Sequence, residues 1–202
     1  MAWIRTIGPD DAQGELKDVY DKMLRSSSFI PKMRQLASLR PEAVEVLDLL
    51  AKRVHFGGTT LGSDREEKIA YVTAYVLNCS YCTIAHGRRM HLREGMTQEQ
   101  LIDLACNYHN IGLDPADVAM LDYAVKVAID PEDITEADVD NLRHHGFDDT
   151  AILDIALNAG YRVFVARLAA ALGIDAEEVW GQLDGEFVQA LTVGRDLTTA
   201  TP

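Results

Sequence analysis

The sequence lacks most of the features that mark a specialised class. Only three of its 202 residues are cysteine. That odd number does not suit the even cysteine frameworks of secreted domains. Basic residues are also scarce: 19 Lys and Arg stand against 32 Asp and Glu, for a net charge of −13. They form no block, which argues against a phosphate-binding surface and against nucleic acid as a partner. No apolar run approaches the ~20 residues needed to cross a bilayer. The opening Met1-Ala2-Trp3-Ile4-Arg5 is not followed by the apolar stretch of a signal peptide. Alternating strand patterns are nearly missing as well. The expectation is a cytoplasmic protein with no membrane partner. In that compartment a close cysteine pair is more often redox-active or metal-binding than structural.

What remains is helical period. Hydrophobic residues make up 48% and charged residues 25%, enough apolar material for one domain spanning 1–202. The expected fold is all-α, a helical bundle. A first helix is read over 10–25, with Leu16, Val19, Tyr20 and Met23 inward, and a short one from Pro31 to Leu39. Pro41 opens another, carrying Val44, Val46, Leu47, Leu49 and Leu50. Ser63 and Glu66 have capping-box spacing, predicting a helix from Asp64 to the region of Asn78. Helix resumes to about Arg93, and Gly95 closes it. Thr97 with Gln100 caps 98–108, Pro115 starts a helix to Ala128, and Thr135 caps 136–145. Asp148 or Asp149 starts a long helix that Gly173 stops. A last helix is placed over 176–190, with a frayed tail from Asp196 to Pro202. Tyr71, Tyr75 and Phe164 are read as core. Leu77-Asn78-Cys79-Ser80-Tyr81 matches Leu157-Asn158-Ala159-Gly160-Tyr161 at Leu, Asn and Tyr, so two related halves are considered, only the first of them chemically active.

The reactive side chains gather in Asn78-Cys79-Ser80-Tyr81-Cys82-Thr83-Ile84-Ala85-His86. On a helix advancing about 100° per residue, Cys79 and Cys82 lie about 60° apart and His86 projects between them. Cys82 and His86, four apart, are close neighbours. With Asn78 as cap, Cys79 sits in the first turn, where the helix dipole favours a thiolate. A helix N-terminus and the Cys-x-x-Cys arrangement both lower thiol pKa values. Such a thiolate attacks an O–O bond or a disulfide, and the second thiol resolves the sulfenic acid. Glu67 lies twelve residues before Cys79. In one straight helix it would be roughly 28 Å from His86 at ~1.5 Å per residue. A chain reversal near Asn78 would bring the two level, and Glu67 could then fix the His86 tautomer.

Other readings compete. The thiols can be two inert buried cysteines. Cys79, Cys82 and His86, with His91 or Glu67, can be zinc ligands, though the finger spacing is missing. Cys106 is read as a buried structural cysteine. Tyr81 is either a pocket wall or an acid. Arg162 and Arg167 are read as snorkelling at an interface in preference to lining the pocket.

The set Glu67, eleven residues, Cys79-Ser80-Tyr81-Cys82, three residues, His86 resembles the signature of the alkylhydroperoxidase D / carboxymuconolactone decarboxylase family. Ser38-Leu39-Arg40-Pro41, Asp130-Pro131-Glu132-Asp133-Ile134-Thr135 and Gly146-Phe147-Asp148-Asp149 resemble its peroxidase-related branch, over roughly residues 10–175. The resemblance implies an all-helical protein assembled as a trimer or hexamer. It implies peroxide reduction without a bound cofactor or metal, with the disulfide re-reduced by a lipoyl- or thioredoxin-type donor. Carried over by position, Cys82 is the peroxidatic thiol, Cys79 the resolving thiol, and His86 with Glu67 the proton relay. Tyr81 stands where the best-known members have a relay histidine, which implies slow turnover. A redox-sensing or disulfide-exchange module with little turnover is the first alternative, and a metal-binding or structural helical protein the second.

Overall fold

The computed structural model describes residues 2–182 and 184–197. Among them are ten α-helices and no strand: α1 (Gly14–Leu24), α2 (Lys32–Gln35), α3 (Pro41–Val54), α4 (Ser63–Val76), α5 (Ser80–Glu94), α6 (Gln98–Asn107), α7 (Pro115–Ile129), α8 (Glu136–His144), α9 (Asp149–Leu172) and α10 (Gly185–Ala190). The main packing unit is α4 with α5, α7 and α9 around it. Its core holds Ile69, Tyr71, Val72, Ile84, Met90, Leu101, Leu104, Met120, Leu121, Leu142 and Ile155. Burying each such side chain is worth about 1.5–3 kcal/mol. A smaller cluster of Leu16, Val19, Tyr20, Met23, Ile30 and Val44 ties α1 to α3.

Local chemistry starts and stops these helices. Thr97 and Gln100 form the capping box of α6, and Thr135 with Asp138 forms that of α8. The Asp148 carboxylate accepts from Ala151 N at 2.8 Å and begins α9. Gly95 and Gly173 end α5 and α9 in the left-handed conformation that glycine tolerates. The expected Ser63–Glu66 box does not form. Gly62 is the cap residue of α4, and Glu66 turns inward to accept from Gly57 N and from Thr59 N and Oγ1. The buried Glu66 carboxylate needs donors, and the loop before α4 supplies three of them.

Several other expectations are corrected. The first helix begins at Gly14, after a 3-10 turn over Pro9–Asp11. The helix expected over 176–190 is instead a 3-10 turn, Glu178–Gln182, and the short α10, which Asp184 caps through Glu186 N. Leu197 is buried, so the chain is packed to that point; Thr198 to Pro202 lie outside the described residues. Phe164 is 48% exposed, not core, and Tyr75 is only partly buried. Cys106 is exposed, its thiol donating to Tyr75. By length and composition α9 could cross a membrane, yet its contacts with α4 and α7 are those of a core helix. The matched Leu157–Tyr161 segment runs inside unbroken α9, whereas Leu77–Tyr81 contains a reversal.

That reversal positions everything below. Asn78 has φ +54°, the one non-glycine in the left-handed region among the described residues. Cys79 N bonds back to Ala74 O at 3.0 Å, and α5 then folds along α4. Asparagine visits this conformation at less cost than other branched or apolar residues. Asn78→Ala should lower stability by about 1 kcal/mol, read as a lower urea midpoint, with Asn78→Gly closer to the parent. An unchanged midpoint in Asn78→Ala would mean the reversal does not depend on this residue.

Candidate active site

The reversal sets Glu67 on α4 against His86 on α5. Glu67 Oε2 lies 2.7 Å from His86 Nδ1, as the spacing argument anticipated. Cys79, Cys82, His86 and Glu67 are all buried. The cap differs by one residue from expectation. Asn78 is used up in the turn, so Cys79 is the N-cap of α5, its sulfur accepting from Cys82 N at 3.4 Å. Thr83 Oγ1 donates to Cys79 O at 3.0 Å and stiffens this first turn. Both cysteines are free thiols.

The two thiols are unequal. The Cys79 thiol donates to the Cys82 sulfur, and this bond, with the charge and hydrogen bond of Arg162, outweighs burial and brings Cys82 down to about 7. Cys79 is driven up by the same bond, then by burial and by repulsion from Cys82. The thiolate is therefore carried by Cys82 and not, as the dipole argument alone suggests, by Cys79.

Glu67 is the centre of the acid–base group. Burial opposes its ionisation, but the charge that His86 takes up in acid and hydrogen bonds from His55 and His86 hold its carboxyl well below the usual range. Arg89 forms an ion pair with Oε1, and His55 Nε2 lies 3.3 Å from the same oxygen. His86 is pushed down to about 3, by burial first and then by Arg162, against the pull of Glu67. It is a neutral imidazole at pH 7. With Nδ1–H given to Glu67, its Nε2 carries the free lone pair.

Sequence reading missed His55 and Arg89, and for Arg162 it favoured an interface over the pocket. His55 follows α3 and is fully buried. It continues the inner stripe of Val44 and Ala51, a signal visible in the spacing. Arg162 lies on the buried stripe of α9 between Ile155, Ala159, Ala166 and Ala169, 4% exposed and beside Cys82 instead of at an interface. Arg167, by contrast, is exposed. The second half of the chain therefore supplies a charged group to the site.

Tyr81 is a wall. Its hydroxyl donates to the Glu177 carboxylate and accepts from Met33 N at 3.3 Å, and its ring packs on Trp180. Among the described residues no hydrogen bond joins it to either cysteine or to His86. Burial and Glu177 raise its pKa further. Glu177 also accepts from Lys32 N at 2.7 Å. Gly194 N donates to Ser80 Oγ at 2.9 Å. At Gly194 a Cβ would meet Asn78 O at 2.0 Å, so only glycine fits against the reversal. The C-terminal segment thus lies across the start of α5. Two hollows of about 360 and 330 Å³ flank the N-terminal segment, and neither is lined by the thiols.

Ligating atoms of His55, Glu67 and His86 lie within 4.8 Å of one another and could gather on a cation. Arg89 on the same carboxylate and Arg162 near His86 oppose one. His91, offered above as a zinc ligand, is exposed, with Nδ1 at 2.7 Å from Met96 O.

Burial sets a sign for pH. Between the ordinary histidine value of 6.5 and the folded value of about 3, the unfolded chain binds a proton at His86 that the folded chain does not. Stability must fall as pH drops through that window, and His55, also lowered by burial, adds to the fall. Glu67 contributes further loss only below its ordinary 4.5. The urea midpoint should be lower at pH 5 than at pH 7, and His86→Asn should reduce that difference. A wild-type midpoint constant from pH 7 to 5 would contradict the buried neutral state.

Neither a protein-family model nor a curated protein matches the sequence. Solved structures do match the fold. A peroxidase-related protein from Silicibacter sp. TM1040 superposes with a TM-score of 0.79 at 25% identity, over 90% of this chain and 94% of that one. The alkylhydroperoxidase AhpD core protein from Ralstonia eutropha JMP134, also peroxidase-related, gives 0.77 at 23% identity, over 96% and 98%. The debrominase Bmp8 gives 0.73 at 16% identity, over 92% and 96%. The shared all-helical architecture, covering nearly the whole of each chain, makes this an alkylhydroperoxidase D-like protein in fold, similar to the peroxidase-related proteins of that group.

Proposed function

We propose that the protein is a thiol-dependent hydroperoxide reductase, an antioxidant enzyme whose reactive group is the Cys79/Cys82 pair. The observation that carries this reading is the unequal pair: Cys82 is lowered to about 7 while Cys79 keeps its proton. The Cys82 thiolate attacks the terminal oxygen of the peroxide, the O–O bond breaks, and the departing alkoxide takes a proton from solvent. The products are Cys82 sulfenic acid and an alcohol. The Cys79 thiol then displaces hydroxide from that sulfur, and proton transfer releases water and leaves a Cys79–Cys82 disulfide. His86 Nε2, one turn along α5 from Cys82, accepts the Cys79 proton, and Glu67 holds the ring through Nδ1. Arg162 stabilises the thiolate. A dithiol donor of lipoyl or thioredoxin type returns two electrons and two protons. The protein works in the cytoplasm as a homo-oligomer, a trimer or hexamer. Exposed Val46, Leu49 and Phe56 beyond α3's buried stripe, and Leu153, Leu157 and Phe164 on α9, supply apolar surface for that assembly.

A second reading, a disulfide-forming sensor with little turnover, is favoured by one observation: Cys82 is 1% exposed and Cys79 8%. The relay histidine of the best-known family members is here a tyrosine bonded elsewhere. The fold also hosts a debrominase, one variant of which binds 2,3,4-tribromopyrrole, so that compound belongs in the substrate panel.

Donor-coupled consumption of an alkyl hydroperoxide should be steady in wild type and lost in Cys82→Ser. Disulfide formation with no steady consumption would favour the sensor. Alkylation of Cys82 should titrate near pH 7, and Arg162→Met should move that midpoint up by at least half a unit, roughly the loss of one nearby charge. An unmoved midpoint would remove Arg162 from the mechanism.

A further inference from the structure

The reaction written above leaves one buried imidazole without a role. His55 is completely enclosed. Its Nδ1 faces Asn158 Nδ2 at 3.4 Å, and the same amide nitrogen lies 3.3 Å from the Glu66 carbonyl oxygen. A carbonyl can only accept, so the Asn158 group turned this way is the NH2. It follows that His55 Nδ1 is an acceptor and that its proton sits on Nε2. That nitrogen faces Glu67 Oε1 at 3.3 Å, while His86 Nδ1 takes Oε2 at 2.7 Å. Two imidazoles in opposite tautomers thus divide one carboxylate between them, their rings edge to face at 4.9 Å.

We propose that His55 is a positioning residue for the acid–base group, acting through Glu67; this rests on the peroxidase reading. Charge balance does not require it, because Arg89 already pairs with Glu67. Burying an imidazole without full hydrogen bonding is costly, and the His55 Nε2 contact is poorly aligned. What His55 adds is direction. His55 and Arg89 both face Oε1, which leaves Oε2 to His86 Nδ1. His86 is then locked as the Nδ1–H tautomer with Nε2 free. The groups facing His55 are Glu67 from α4, His86 and Arg89 from α5, Asn158 and Arg162 from α9, and Phe56 beside it. Only Glu67 among them offers a charged acceptor, so the imidazole N–H has one destination.

The test reads the His86 ring by 15N NMR in the reduced protein, with peroxide turnover measured in parallel. Wild type should show a single Nδ1–H tautomer. His55→Leu should give a mixture of tautomers and lower kcat by about 10- to 100-fold, the cost of a misplaced catalytic group, with KM unchanged. His55→Gln, which keeps an N–H donor, should restore the single tautomer and most of kcat. Where His55→Leu does not fold, Asn158→Ala releases Nδ1 and should produce the same tautomer mixture. A folded His55→Leu or Asn158→Ala protein with an unchanged single tautomer would overturn the proposal, as would His55→Gln behaving like His55→Leu. The NMR readout needs no substrate. A protein without peroxidase turnover that still shows the tautomer change would therefore overturn the reaction and leave the positioning role standing.

Discussion

A carboxylate buried in the middle of a helical core has to be paired, because stripping water from one ion costs several kcal/mol even after the surroundings relax. Glu67 is such a group, and the way it is paired dictates where three other segments go. The reversal at Asn78 exists in a position that lets α5 bring His86 and Arg89 to it. The end of α3 delivers His55. Asn158 on α9 then fixes His55 from behind. Removing any one partner would leave charge or hydrogen-bonding capacity buried and unmatched, which makes the site a cooperative unit and not a set of independent contacts.

The thiol pair sits one turn from this group and follows a related logic. Both sulfurs are buried, so neither can ionise without help. Cys79 keeps its proton and donates it as a hydrogen bond to the Cys82 sulfur, and Arg162 approaches from α9. Charge therefore collects on a single sulfur, and the proposed division into attacking and resolving thiols rests on that asymmetry. The C-terminal segment closes over the same turn. Glu177 and Trp180 engage Tyr81, and Gly194 lies against Asn78 and Ser80. The start of α5 is covered by a segment that holds it through polar contacts, tilted ring contacts of Trp180 with Tyr81 and of Phe187 with His91, and Leu191 packed against Gly87.

Much of this could be read from the sequence because it is local or because spacing leaves little choice. Thr97, Thr135 and Asp148 cap their helices through neighbours three residues on, and short-range chemistry of that kind forms where no distant group competes for the side chain. The reversal near Asn78 followed from the distance that otherwise separates Glu67 from His86. The failures have a common physical cause. Glu66 has the right spacing for a cap, but its buried carboxylate takes its donors from the 57–59 loop. His55 and Arg162 are polar residues on inner stripes, and periodicity marks such positions without saying what they meet across the core. Tyr81 was placed on the correct helix, yet its partner Glu177 is 96 residues away, a contact only the tertiary structure decides. The Leu157–Tyr161 match carried no reversal with it, because Asn158 stays helical where Asn78 does not.

The central claim is that Cys82 takes the oxygen and Cys79 completes the disulfide. It is tested most directly by mass spectrometry of reduced protein quenched after one equivalent of alkyl hydroperoxide. The account predicts a Cys79–Cys82 disulfide in the parent and, in Cys79→Ser, a sulfenic acid on Cys82 that a dimedone probe captures. Oxygen found on Cys79, or oxidation confined to the exposed Cys106, would contradict it.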